Sequence, residues 1–451
     1  MRAEKVSTRR FDVFTEAAPE IERHVLVDIG AEKVKSIVSV PFEVPPRADL
    51  IRIRIGIEGT PVSGAVIDMG LADSQGLRGW SGGARREAVI SHPHATPGYR
   101  AGSLRPGQWS VLLGAYRIPR AGVRVNVTIE VWLSRPRWLA ADLHSHTVHS
   151  DGALLAEEAA REAAKEGLDV LAQTDHNTGT QNAKLTRNGG VILLPGMEFT
   201  TWHGHANVVG ADVQGLDFRV ADQSQLVERL QMARRMKSFV SINHPFDSSC
   251  EGCDWGWDAA WDVVNGIEVW NGPWRECNVK ALHWWHQQLC RGRRLIAVGG
   301  SDFHRSDHPY IHLGWPTTWI MANRLTRPAV MTGLHQGRVC LSFSPHGPRV
   351  NVTTGTYGVG DTVPYGTQVK EVTAEFWQLN PGDTLRVIGN TGTLIETTAT
   401  KNTHHDTVKL DKVTEWVRLE VWRPYPEAFQ QGDSLMLAAM SNPLFLERQK
   451  Q

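Results

Sequence analysis

Between Trp138 and Phe343 the chain repeats one pattern, a short apolar run closed by a histidine, aspartate or glutamate. After Trp138-Leu-Ala-Ala, the runs at Asp169–Thr174, Val191–Pro195, Ser238–Ile242, Gly266–Trp270 and Leu295–Gly299 read as short buried strands. Ala153–Gly167, Gln223–Lys237 and Asn278–Cys290 read as the helices between them. Strands alternating with helices predict a parallel α/β sheet or barrel. In such folds functional groups collect at the carboxyl ends of the strands, which is where these polar residues stand.

The flanks follow another period. Ile37–Val44, Leu50–Ile57, Trp109–Tyr116 and Val123–Val131 alternate apolar and polar residues, with Gly, Pro and Asp clusters between them, which fits a β-sandwich from about Phe11 to Leu133. The glycine-rich Gly76–Arg85 lacks the Gly-Lys-Ser/Thr of a phosphate-binding loop and reads as a long hairpin loop. Val350–Thr354, Val369–Gln378, Thr384–Ile388 and Val413–Val421 alternate again. The expected domains are an N-terminal β-sandwich over residues 1–136, an α/β barrel over 137–345 and a small β-sandwich-like domain over 346–451.

The strand ends carry the chemistry. The first gives Asp142-Leu-His-Ser-His-Thr-Val-His-Ser-Asp-Gly152, with His144, His146 and Asp151. His-x-His on an extended segment turns both imidazoles to one face, where they can share an ion. The second end carries His176 in Thr174-Asp-His-Asn177, and the third carries Glu198 followed by His203 and His205. The fourth offers His244 in Asn-His-Pro, the fifth only Glu268 and Asn271, to which no ligand is assigned, and the sixth Asp302 and His304. A single histidine is usually a satisfied core or surface residue. Five strand ends in register predict a multinuclear metal site.

Composition narrows the class. Lys+Arg and Asp+Glu both number 48, so nothing in the net charge argues for nucleic acid or an anionic membrane. No stretch is apolar and long enough to span a bilayer, and no apolar segment follows the basic residues 1–10. The expectation is a cytoplasmic protein acting on a small molecule, its oligomeric state open. Cys250-Glu-Gly-Cys253 has the spacing of half a zinc or redox site, but no second pair completes it, and reduced cysteines in a loop are expected.

The set of motifs His-x-His, Thr-Asp-His, Gly-Met-Glu, Gly-His-Ala-Asn, Asn-His-Pro and Gly-Ser-Asp-x-His resembles the PHP (polymerase and histidinol phosphatase) superfamily of metal-dependent hydrolases. Glu268-Val-Trp-Asn271, Gly299–Asp302 and the Arg78–Gly83 loop look more narrowly like its carbaryl-hydrolase-like (CehA/McbA) branch. The resemblance implies a distorted (β/α)7 barrel with two to three divalent ions of the Mn, Fe or Zn class. It implies a first ion on His144, His146, Glu198 and Asp302, a second on His205 and His244 with Glu198 as bridge, and a third on Asp151, His176 and His304. Glu198, Asp302 and His304 are then the catalytic residues. Gly-His-Ala-Asn favours His205 over His203 as ligand, and Asp175 is expected to orient His176 from behind.

Such a centre needs no Ser or Cys nucleophile, because paired cations activate water and stabilise developing negative charge. Three ions favour a phosphate ester, whose several oxygens can bridge them. Trp270, Trp274 and Arg275 are the expected substrate contacts, and an aromatic, weakly basic pocket keeps an aryl carbamate or carboxyl ester as the alternative substrate. A non-catalytic metal-binding module is the third possibility, disfavoured because all nine ligand positions are filled.

Overall fold

The structure, a computed structural model, describes residues 19–58, 64–92, 95–184, 191–213, 215–411, 414–424 and 435–447. The basic residues 1–10, the start of the expected β region at Phe11, and Val413 lie outside these ranges. The chain packs as two compact units: Met1–Pro136 with Asn323–Thr326, and Arg137–Ala322 with Arg327–Gln451.

In the first unit, β1 (Ile21–Ile29), β2 (Ile37–Val44), β3 (Ala48–Glu58), β4 (Val66–Asp73), β5 (Gly76–Trp80), β6 (Glu87–Ser91), β7 (Gly107–Arg117) and β8 (Val123–Leu133) form two antiparallel four-stranded sheets. Their orders are β1-β8-β3-β6 and β2-β7-β4-β5. Alternation decides what is buried: Val125, Val127, Ile129 and Val131 of β8 face inward with Ile51 and Ile53 of β3, against Val111 and Leu113 of β7. Each fully buried Val or Ile contributes roughly 1.5–3 kcal/mol, so this core is sufficient to define the sandwich. The Gly76–Arg85 segment is part strand, since β5 pairs with β4 from Gly76 to Trp80.

The second unit contains β9 (Arg137–Asp142), α1 (Ala156–Glu166), β10 (Val170–Gln173), β11 (Ile192–Thr201), β12 (Gly204–Val209), α2 (Gln223–Arg235), β13 (Phe239–Ile242), β14 (Gly266–Asn271), α3 (Glu276–Cys290) and β15 (Ile296–Gly300). These seven strands run in the order β15-β14-β13-β12-β11-β10-β9. The sheet curls until the segment beyond β15 meets the segment beyond β9, with a parallel bridge between Ser145 and Phe303 and a 3.0 Å bond from Asp302 N–H to His144 C=O. Gly300 permits this approach, because a Cβ there would collide with the His144 Cβ.

The sheet is mixed and has few helices. β9, β10 and β11 are parallel, as are β13, β14 and β15, but β12 runs antiparallel to both of its neighbours. A tight turn over Trp202 and His203 therefore replaces one strand–helix–strand step of the expected (β/α)7 pattern. β9 continues on its other side through β16 (Thr317–Ala322) and β17 (Val339–Ser342), with α4 (Arg327–His335) between them.

Residues from 346 onward lie in this same unit. They add β18 (Arg349–Thr353), β19 (Thr362–Val363), β20 (Glu371–Trp377), β21 (Thr384–Gly389), β22 (Gly392–Thr398), β23 (His404–Lys409), β24 (Trp416–Pro424), β25 (Leu435–Ser441) and β26 (Leu444–Leu446). β25 pairs with β17, so the long sheet runs on into β24, β21 and β22, while β18-β20-β23 forms a separate sheet. One apolar core joins α1, through Ala159, Ala160 and Ala163, to Val352, Phe376, Leu419 and Ala439. Cys250 and Cys253 form a disulfide, which corrects the expectation of reduced cysteines at this pair; Cys277, Cys290 and Cys340 are free thiols. Among the described residues no helix is long and apolar enough to cross a membrane.

Candidate metal centre

All but one of the site's side chains leave the later part of a strand or the loop after it. His144 and His146 follow β9, His176 follows β10, Glu198 lies near the end of β11 and His205 at the start of β12. His244 follows β13, and Asp302 and His304 follow β15. Asp151 closes the loop from β9 to α1. All nine expected ligands are thus brought to one place, in four overlapping groups whose donor atoms lie within 4.8 Å of one another. The groups are His146, Asp151, His176 and His304; His144, Glu198 and His244; His144, His146 and Asp302; and His176, Glu198 and His205. The partition differs from that implied by the family resemblance, because His146 reaches the Asp151 group and His176 also reaches Glu198.

The donors fit cations better than they fit one another. His144 Nε2, His146 Nε2, Glu198 Oε2, His205 Nδ1 and His244 Nδ1 are buried without a hydrogen-bond partner. Buried polar atoms are normally paired, and the unpartnered nitrogens of His144, His146 and His205, turned toward the carboxylates of Glu198 and Asp302, form a cage for positive charge. Across that cage, Glu198 lies 3.2 Å from His144, 2.9 Å from His176, 3.3 Å from His205 and 3.4 Å from His244, and His146 lies 3.1 Å from Asp302. The arrangement has the donor types and spacing to hold metal ions.

Partners outside the cage orient the rings. His144 Nδ1 bonds Glu268 Oε1 at 3.0 Å, which turns Nε2 inward. The other Glu268 oxygen accepts from the His244 backbone N–H and from Asn271 Nδ2. Asn243 Nδ2 donates to Glu198 Oε1 at 2.7 Å, and His304 Nδ1 bonds the Asp302 carbonyl at 2.8 Å, leaving Nε2 toward Asp151. Asp142 accepts from the backbone N–H of His144, Ser301 and Gly314, tying the ends of β9 and β15 together. Asp175 does not orient His176; it accepts from the Thr147 N–H and hydroxyl and from the Ser150 hydroxyl, and so fixes the loop between His146 and Asp151.

Charge and burial set the protonation of the metal-free cage. Burial alone would raise the Glu198 carboxyl, but the charge of His144 and the close imidazoles of His176 and His205 hold it well below the usual carboxylate range. Burial opposes a charged His144, yet Asp302, Glu198 and Glu268 hold its pKa well above the ordinary value. His304 is pushed up to about 9, its burial outweighed by the bond to Asp151 and the charge of Asp302. Asp151 is lowered, chiefly by His304. Two ligands also sit on left-handed backbone, His244 at φ 26° and Asp302 at φ 54°, a conformation that side chains other than glycine adopt at a cost.

The remaining expected residues lie elsewhere. Trp270 and Trp274 are buried, stacked edge-to-face on each other and, for Trp274, on Trp422. Arg275 bonds Asp247 at 3.0 Å and Asn271 Oδ1 at 3.2 Å, and Asn271 in turn reaches Asp302. His203 packs edge-on against Trp257, and His149 bonds the Thr180 hydroxyl. Two cavities open beside the donors. One of about 470 Å³ is lined by Asp151, Asp302, His304, Arg305, His308 and Ile311. The other, about 450 Å³, is lined by Asn177, Thr200, Thr201, Trp202, His203, Phe218, Arg219 and Trp257. Glu268, named in the sequence without a role, and Asn243, Arg305 and His308 also belong to the surroundings of the site; Arg305 follows His304 directly and His308 comes three residues later, a basic extension legible at the sixth strand end.

No family model matches the chain. Among curated proteins it is similar to a 5'-3' exoribonuclease of Haemophilus influenzae, 31% identical over 130 residues, covering 28% of this chain and 45% of that protein. It is similar to the 5'-3' exoribonuclease Rnm of Escherichia coli, 38% identical over 79 residues, covering 16% and 27%. An uncharacterized protein of Methanocaldococcus jannaschii is 26% identical over 153 residues, covering 31% of this chain and 85% of that one. The chain spans less than half the length of the exoribonucleases it matches. Among solved structures, it is similar to a two-domain protein containing a predicted PHP-like metal-dependent phosphoesterase from Bacteroides vulgatus, at 17% identity and TM-score 0.40, covering 67% of this chain and 95% of that one. An amidohydrolase from Chromobacterium violaceum has 17% identity and TM-score 0.30, covering 44% and 96%.

Proposed function

We propose that this chain is a multinuclear metal-dependent hydrolase of small-molecule phosphate esters. The observation that carries the reading is the set of buried imidazole and carboxylate atoms around Glu198 that have no hydrogen-bond partner. Two or three divalent ions of the Mn, Fe or Zn class, when bound, supply Lewis acidity and bring water to its nucleophilic form near neutral pH. Glu198 would take the bridging role, since its two oxygens face five different imidazoles. Asp302 and His304 are both donors and walls of the cavity that would admit the ester, and Arg305 and His308 place two cationic or proton-bearing groups on the same wall. The likeness to exoribonucleases, which cleave phosphate esters, supports phosphate over carbonyl chemistry.

Hydrolysis of an aryl carbamate or carboxyl ester, as the narrower carbaryl-hydrolase-like (CehA/McbA) likeness would have it, is the second reading. The aromatic cavity at Trp202 and Trp257 favours it. Metal content and hydrolysis of phosphomonoesters, phosphodiesters and aryl carbamates, measured on the same preparation, separate the two. Two or three ions per chain with turnover confined to phosphate esters is the expected result. One ion or none after reconstitution with Mn, Fe or Zn, or turnover confined to carbamates, overturns it.

A further inference from the structure

We infer that the cavity beside His176 receives a planar aromatic group of the substrate, the part joined to the ester cleaved at the metal centre; this rests on the hydrolase reading above. Position comes first. Thr200 lines the cavity and its hydroxyl lies 2.6 Å from His176 Nδ1, and Asn177 directly follows that donor, so a molecule in the cavity is one residue away from an outer donor.

Trp202 supplies the second argument. Its side chain is 88% exposed, so the fold gains almost nothing from burying it. The turn that carries it is nevertheless fixed, by bonds from Gly204 N–H to Gly252 C=O and from Gly256 N–H to His203 C=O, both 2.9 Å, with Gly252 inside the Cys250–Cys253 disulfide loop. A large apolar ring held in water on a rigid turn is preorganised for a partner. Trp257, oriented by a 3.0 Å bond from its Nε1 to Thr201 Oγ1, and Phe218 supply further aromatic walls.

Charge and hydrogen bonding exclude the other ligand chemistries. Arg219, the cavity's guanidinium, is exposed and paired with Asp217 at 2.7 and 2.9 Å, so the cavity offers an anion no dedicated partner. A sugar would also stack on tryptophan, but it needs partners for its hydroxyls. The Asn177 amide is already committed to the Thr200 backbone, and the Thr201 hydroxyl to Gly204 C=O and Trp257. With aromatic walls and only His203 and Gln225 to meet polar edges, the cavity best fits a flat ring with few polar groups, an aryl group or a nucleobase.

Calorimetry on the full chain, metal-loaded and after chelation, tests this with adenosine, 1-naphthol and methyl glucoside. Adenosine or 1-naphthol is expected to bind saturably, the tighter of the two telling nucleobase from aryl group. Trp202→Ala should weaken that binding about tenfold, the scale of one lost stacking contact, and Trp202→Phe should recover most of it. The KM for 1-naphthyl phosphate should rise about tenfold more in Trp202→Ala than that for glycerol 2-phosphate. No saturable binding of either planar compound, equal affinity in Trp202→Ala, or tighter binding of methyl glucoside overturns the inference. Planar ligands that bind at Trp202 to a protein that cleaves no phosphate ester would leave the inference standing and sink the phosphoesterase reading; cleavage with no Trp202 dependence would do the reverse.

Discussion

The inner and outer donors of the centre live in different surroundings. The side chains of His144, Glu198 and His244 are 0–6% exposed, whereas Asp151, His176 and His304 are 55, 28 and 34% exposed. The inner three are held from behind by Glu268 and Asn243, while Asp151 hangs on a loop whose anchor is Asp175. Water can replace an ion at the outer group, but nothing screens like charges at the inner one. The difference teaches that one cluster of donors can combine a group fixed by the fold with a group open to solvent.

The largest expected effect comes from breaking the inner group. Glu198→Gln keeps the shape and removes the anion that faces five imidazoles, so at least one ion and nearly all turnover should be lost; full occupancy with a near-normal rate, by elemental analysis and assay together, would show that another residue bridges. Asp151→Ala attacks the outer group alone. It should cost one equivalent of metal and, for a phosphomonoester, lower the rate by orders of magnitude, because a fixed electrostatic stabiliser is gone. An aryl carbamate, which offers a single carbonyl oxygen, should keep much of its rate in the same variant, so the two assays on one preparation sharpen the choice of substrate.

Glu268→Gln tests the support rather than the ligands. Loss of the carboxylate behind His144 should weaken metal affinity by about 10–100-fold while the fold persists; unchanged affinity by competition with a chelator would make Glu268 a packing residue only. The smallest effect is protonic. In the metal-free protein His304 titrates at about 9, so it carries a proton at pH 7 that an incoming ion must displace. Apparent affinity for the outer ion should therefore climb as pH rises and level off above about 9. Calorimetry in buffers of differing ionisation heat should register the released proton, and a pH-independent affinity would contradict the pairing with Asp151.

The gathering of the candidate donors was legible because most follow an apolar run, so strand period and residue type together set them at one end of a sheet. Helix α1 was legible for a similar reason: Ala156, Ala159, Ala160 and Ala163 recur at helical spacing and are all buried, and Gly167, at φ 92°, ends the helix. β12 was not, because Gly204-His-Ala-Asn reads as a ligand-bearing loop until the tight turn before it and the pairing with β13 are known. Glu268 escaped because a carboxylate behind a histidine cannot be recognised without knowing which strands are neighbours. The burial of Trp270 and Trp274 was not legible, because a large aromatic residue near a site reads the same in sequence whether it lines a pocket or fills a core.

The left-handed backbone at His244 and Asp302 has a consequence for anyone improving this protein by selection. Each position would be relieved by glycine, by about 1 kcal/mol on the scale of such strain. A thermostability screen blind to catalysis should therefore enrich replacements at these two sites early, and the hardier descendants would be the ones that had discarded their metals.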